Sequence, residues 1–176
     1  MKSARDLLIE IGTEELPPKA LKELSAAFSQ GVFDGLVKES LANKRTEPAF
    51  VSFATPRRLA VLVKNVSIQQ PDSEEMRSGP SLKTAFDDNN KPTKAALGFA
   101  RSCGVPLEEL DGSGANLIYR FEKKGRLAAE LVPAIVVNAL AGLPIPKRMR
   151  WGESSAEFVR PVHWVVLLFG KQIIPA

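Results

Sequence analysis

Leu21, Leu24, Phe28, Val32 and Leu36 recur at helical spacing directly after Pro17-Pro18, and this stripe constrains the 176-residue chain more than any other stretch. Such a stripe buries one face of a helix, so the rest of the chain must supply a core for it to pack on. Proline suits a helix start because its missing N–H would have had no intrahelical partner. Gly31 and Gly35 stand four residues apart inside the same helix. Each costs up to about 1 kcal/mol relative to alanine, which points to close packing of another backbone there; local fraying is the alternative.

Strands are expected around this helix. Residues 6–11 form a short apolar run suited to a buried strand, and Gly12 lets the chain turn. Residues 49–53 and 59–66 read as a hairpin-like pair, with Thr55-Pro56 forcing an extended or turn conformation between them. Residues 116–123 set Leu117, Tyr119 and Phe121 against Ile118, Arg120 and Glu122, as in a half-exposed strand. Residues 164–169 and 172–174 read as two further strands around Gly170-Lys171. A second helix opens at Pro92-Thr93, with Thr93 as its cap, Ala96, Leu97, Ala100 and Cys103 as its apolar face, and Gly104 as its end. A third helical stretch over 127–140 is kinked or restarted at Pro133, and the prolines of 143–146 stop helical structure.

Residues 69–80 are polar, contain Pro71 and Pro80 and lack periodicity, so they read as a loop or a boundary between lobes. The expected fold class is α+β: mixed or antiparallel sheets with two to three packed helices, in one or two lobes. The expected division is an N-terminal β-α-β-β lobe over 1–68, the boundary over 69–80, and a second α+β portion over 81–176. The final strand runs to the last residue with no polar tail, so a segment truncated from a longer polypeptide is expected.

Composition narrows the function. Hydrophobic residues make up 44% and charged residues 25%, and a chain near this size buries about 70% of its unfolded surface, enough for a core. Cys103 is the sole cysteine, so it forms no internal bridge and no cysteine metal cluster; a reducing compartment, the cytoplasm, is the default. The longest apolar runs fall far short of the roughly 20 residues of a membrane-spanning helix. Residues 1–88 hold 12 basic and 13 acidic side chains (net −1), and residues 89–176 hold 12 and 7 (net +5). An anionic partner should favour the second half, an ordinary solubility surplus being the alternative.

The sequence has no glycine-rich phosphate loop, no GxSxG and no HExxH, and its one histidine is His163. No catalytic residue, metal ligand or bound cofactor is therefore assigned to it. His163 reads as a hydrogen-bonded structural histidine, and Cys103 as a small core residue. Glu14-Glu15 reads as a pair of acids favouring the positive end of the helix that follows, rather than as a carboxylate pair for catalysis.

Three segments carry a resemblance: Ile9-Glu10-Ile11-Gly12-Thr13-Glu14-Glu15-Leu16-Pro17-Pro18, Phe53-Ala54-Thr55-Pro56-Arg57-Arg58-Leu59-Ala60, and Leu143-Pro144-Ile145-Pro146-Lys147-Arg148-Met149-Arg150-Trp151-Gly152. Together they resemble the amino-terminal region of the bacterial glycyl-tRNA synthetase beta-subunit family. Residues 79–104 and Phe158-Val159-Arg160-Pro161-Val162-His163 resemble it too, so the matches follow the family's order over nearly the whole chain. The resemblance implies an assembly of two alpha and two beta subunits that joins glycine to its tRNA using ATP and magnesium, with the class II catalytic core on alpha. The implied partners are the alpha subunit, glycine tRNA and a second beta copy, with no membrane. The family's beta subunit is much longer and includes a helical anticodon-binding region. The expected role is a noncatalytic part that positions tRNA or supports subunit assembly; assembly without RNA contact is the alternative. An editing hydrolase would need a nucleophile or metal set that the sequence does not offer.

Candidate contact residues follow from charge. Arginine suits phosphate because its planar fork meets two oxygens at once. Arg57 and Arg58 follow a proline-fixed turn, and Lys147, Arg148 and Arg150 lead into Trp151, whose ring suits stacking. An extended 147–151 places Arg148 and Arg150 on one face and Met149 and Trp151 on the other. Arg160 is expected to join them across the 152–158 connection. The competing reading pairs each arginine with an acid at a domain or subunit contact.

Overall fold

Leu7, Ile9 and Ile11 alternate with Leu8 and Glu10 along strand β1 (Ala4–Thr13), so one side of the strand is wholly apolar. A computed structural model describes residues 4–43, 49–87, 89–145, 147–151 and 157–175, and in it these three side chains are fully buried. The hairpin β2 (Phe50–Thr55) and β3 (Arg58–Ser67) turns on Pro56-Arg57 and lays β3 antiparallel along one edge of β1. The strand β8 (Val162–Phe169) pairs antiparallel with the other edge, and β9 (Gln172–Ile173) follows it. The sheet order is β2-β3-β1-β8-β9. Its register sets Ile9 opposite Val61 and Leu167, and Leu7 opposite Val63 and Phe169, which stacks the apolar rows of three strands. Burying each such side chain is worth about 1.5–3 kcal/mol.

Helix α1 (Leu21–Lys38) buries Leu24, Phe28, Val32 and Leu36 of the expected stripe, while Leu21 is half-buried. Pro17 and Pro18 stand in the turn before it, where the Ala20 N–H donates to the Pro17 carbonyl at 3.0 Å. The helix α4 (Ala128–Ala141) packs along α1. Close approach is what the two glycines permit. A Cβ on Gly31 would lie 3.2 Å from Ala139 Cβ, and one on Gly35 only 2.6 Å from Ile135 Cγ2. Pro133 lies inside α4 without restarting it; Leu131, Val132, Ile135, Val136 and Ala139 are buried on both sides of the proline and hold a single helix.

The chain forms two compact units, Met1–Gln70 with Arg126–Ala176, and Pro71–Gly125. Residues 126–176 thus fold with the first lobe rather than with 81–125. The return is fixed by backbone bonds from the Ala128 N–H to the Ile68 carbonyl and from the Gln70 N–H to the Arg126 carbonyl, both 2.9 Å. Among the described residues the fold is α+β with antiparallel sheets.

In the second unit, most of the expected loop is strand. β4 (Ser73–Ser81) pairs antiparallel with β5 (Asn116–Lys123). β4 has no apolar alternation of its own; its ladder partner supplies Leu117, Tyr119 and Phe121. Gly79 admits the Phe99 ring, which a Cβ there would meet at 2.5 Å. The short helix α2 (Leu82–Ala85) and α3 (Lys94–Cys103) add Ala85, Ala96 and Ala100 to a small core with Leu110 and Leu117. Leu97 is exposed and Cys103 only half-buried, because the buried stripe of α3 is narrower than the sequence pattern. Thr93 stands at the N-cap of α3 as expected, but its side chain makes no capping bond; its hydroxyl donates to the Thr84 carbonyl at 2.7 Å instead.

Hydrogen bonds from the Ser113 hydroxyl and N–H hold the Asp111 carboxyl below its ordinary range, with Arg120 adding a smaller pull. That contribution is present above the unfolded value and fades as pH falls. Asp72, then Glu122, hold the Lys124 ammonium above its ordinary range, so its contribution fades as pH rises through the folded value.

Glycine packing on α1 is testable against a control. Gly35→Ala should lower unfolding free energy by about 1–2 kcal/mol through overpacking, despite the better helix propensity of alanine. Gly98→Ala in α3, where a Cβ meets open space, should instead raise it by about 0.5–1 kcal/mol. Urea unfolding of both variants checks the opposite signs.

Candidate functional site

Three segments distant in sequence meet at one end of the five-stranded sheet. The Thr13 N–H donates to the Arg57 carbonyl at 2.9 Å, the Glu14 N–H to Pro161 at 3.0 Å, and the Leu16 N–H to Pro56 at 2.7 Å. Leu16 anchors this join in the core. Arg160 Nε donates to the Glu15 carbonyl at 3.0 Å. Between Gly12 and Thr13 the register of β1 on β8 shifts, from Gly12 opposite Trp164 to Thr13 opposite Val162, leaving His163 as the additional residue. Such irregularities re-aim a side chain, and His163 Nε2 lies 3.0 Å from Glu14 Oε1.

Every arginine of this rim has a partner. Arg57 lies 3.6 Å from Glu15 and Arg58 lies 3.3 Å from Glu10. Arg58 also stands over the Trp164 ring, 5.6 Å from its centroid. Trp164 in turn lies flat on Gly12, where a Cβ would fall 2.1–2.3 Å from indole carbons. Glu15 thus has Arg57, and Glu14 has His163, as side-chain partners from distant segments. The Arg57–Glu15 side chains are 64% and 71% exposed, and such pairs are worth about 0–1 kcal/mol. They hold the rim in shape yet exchange readily for another charged partner.

The second cluster also belongs to the first unit. β6 (Met149–Arg150) pairs with β7 (Glu157–Phe158). The expected alternation is present, with Arg148 and Arg150 exposed and Met149 and Trp151 half-buried. Arg148 Nη2 donates to the Ala141 carbonyl at 2.6 Å, at the end of α4 where carbonyls lack helical partners. Arg150 lies 3.3 Å from Glu157, Trp151 packs against the core, and Lys147 is exposed. Arg160 sits with the rim through Glu15. Pro146, Gly152 and the rest of the 152–156 connection lie outside the described residues; Arg148, Arg150 and Arg160 are described and take different partners, Ala141, Glu157 and Glu15.

Sequence reasoning identified Arg57, Arg58 and Arg160 but missed Glu10 and Trp164 as their partners. Nothing local marks those two, since Arg58 meets Glu10 across β3 and β1, and Trp164 arrives on β8. Among the described residues no group of three or more His, Cys, Asp or Glu side chains is placed to hold a metal ion. No described helix is long and apolar enough to cross a membrane.

The sequence profile of the glycyl-tRNA synthetase beta subunit matches residues 7–176. The chain belongs to that family. It is 50% identical over 178 residues to the glycine-tRNA ligase beta subunit of Marinobacter nauticus, a match covering 99% of this chain and 25% of that protein. It is 52% identical over 172 residues to the glycine-tRNA ligase beta subunit of Azotobacter vinelandii, covering 98% and 24%. The chain thus spans about a quarter of the length of these relatives. Of the beta-subunit segments resembled, those of 9–18, 53–60 and 158–163 build the charged rim, 143–152 includes β6, and 79–104 lies in the second unit.

The seat of Trp164 on Gly12 predicts a coupled pair. Gly12→Ala should destabilise the first unit by about 1–2 kcal/mol, because the indole must leave its place. In a Trp164→Ala background the same change should cost less than about 0.5 kcal/mol. A double-mutant cycle by denaturant unfolding measures the difference.

Proposed function

We propose that this chain is a noncatalytic part of a glycine-tRNA ligase beta subunit, supporting ATP-dependent attachment of glycine to its tRNA. Its rim of Arg57, Arg58, Arg160 and His163 serves as a contact surface that positions tRNA against the enzyme. The supporting observation is convergence: three segments that resemble the family, far apart in sequence, are hydrogen-bonded into one exposed charged surface. ATP and magnesium would act in the holoenzyme on the alpha subunit, in a cytoplasmic assembly of two alpha and two beta chains.

A second reading, assembly without RNA contact, draws on a specific feature. Glu10, Glu14 and Glu15 accompany the cations, and a mixed-charge rim suits a protein partner of mixed charge. Salt separates the two, since RNA contact weakens steeply as counterions return.

Arg57→Glu in the assembled enzyme should weaken tRNA binding about tenfold or more at low salt, with a smaller effect at high salt, and leave unfolding unchanged. Unaltered tRNA titrations with weakened capture of alpha would favour the assembly reading; no change in either would reject the rim. The purified 176-residue chain should give no glycine-dependent pyrophosphate exchange, because its sequence offers no ATP-clamping motif. Measurable exchange by the chain alone would reverse that assignment.

A further inference from the structure

The five-stranded sheet has a second face, and it is not the polar surface that solvent normally selects on an antiparallel sheet. Antiparallel register places Trp164 beside Gly12 and Arg58, then Val166 beside Glu10, Ala60 and Phe53, then Leu168 beside Leu8, Leu62 and Val51. These positions alternate with the buried rows of Ile9 and Ile11, so they project from the side opposite the helices. Phe53 is 51% exposed, Trp164 41% and Ile173 73%, with Val51 and Val166 also exposed. Ile173 pairs with Leu168 and continues the same face to the sheet edge.

We propose that this face is an intramolecular docking surface, covered in the full-length beta subunit by an amphipathic helix from the polypeptide that the relatives have in addition to the matched quarter. Two observations select this occupant. The first is charge: Glu10 is the carboxylate in the middle of the face, and Arg58 lies 3.3 Å from it, so this carboxylate already has its counter-charge within the face. A nucleic acid on this face would bring phosphates onto Glu10 and gain little from valine, leucine and isoleucine. The second is length: relatives matched over 178 residues are about four times as long as the match. A segment of the same polypeptide docks at an effective concentration near millimolar, an advantage that a separate subunit or second copy lacks. A helix laid on this side would give the sheet helices on both faces, a stable layer arrangement. The inference depends on family membership.

Hydroxyl-radical footprinting with peptide-level mass spectrometry tests it, comparing the 176-residue chain with the full-length beta subunit, each without alpha subunit or tRNA. Phe53 and Trp164 should be oxidised at least fivefold less in the full-length subunit, at any protein concentration, with buried Phe28 equally protected in both. In the full-length subunit, Phe53→Ser with Ile173→Ser should return Trp164 labelling to the level of the shorter chain, whose own unfolding midpoint these exposed changes leave in place. Equal labelling of Trp164 in the two wild-type proteins would overturn the proposal. So would protection that requires added alpha subunit, added tRNA, or a rise in the concentration of the 176-residue chain, which would assign the face to those occupants instead.

Discussion

Strand β1 is hydrogen-bonded along both edges, and the first unit depends on that double pairing. Residues 58–67 fill one edge and residues 162–169 the other, so a single strand joins segments separated by most of the chain. The pairing aligns the rows of Leu7, Ile9 and Ile11 with their neighbours and so creates the surface on which α1 packs. It also carries the first turn after Gly12 to the β2–β3 hairpin and to Pro161, which is how the charged rim comes to exist. A one-residue slip of β1 would turn its apolar row to the other face.

The helical layer rests on a different constraint. Gly31 and Gly35 remove the side chains that would otherwise hold α4 away from α1. The lost helix propensity is local and small, whereas the closer contact lets Ile135, Val136 and Ala139 enter the same core as the sheet. The second unit has no comparable core. Its alanine-rich centre is supplemented by surface pairs such as Lys123–Glu75 and Arg120–Asp111, and by the stacked rings of Tyr119 and Phe121.

The two faces of the sheet divide the work of the first unit. One is dry and covered by helices; the other exposes Phe53, Trp164 and Ile173 and ends in a rim where each arginine is matched by a carboxylate, an aromatic ring or a carbonyl. Arginine in such company is held in shape while keeping its charge accessible, which suits a surface that meets a partner.

Arg57, Arg58 and Arg160 were legible as candidates because a cation beside a proline turn is a local pattern, and α1 was legible because helical periodicity repeats within one segment. Strand β4 was not, since Ser73–Ser81 gains its strand form from the apolar residues of β5 rather than from its own. Nor was the return of residues 126–176 to the first lobe, which depends on backbone bonds to Ile68 and Gln70. By itself, then, the sequence determined where helices and most strands form, which residues carry charge and which family the chain resembles, because those follow from neighbours along the chain. Tertiary structure alone decided which arginine meets which acid, that Trp164 covers Gly12, and which sheet face stays open, because pairing across β1 joins residues whose separation in sequence carries no local trace.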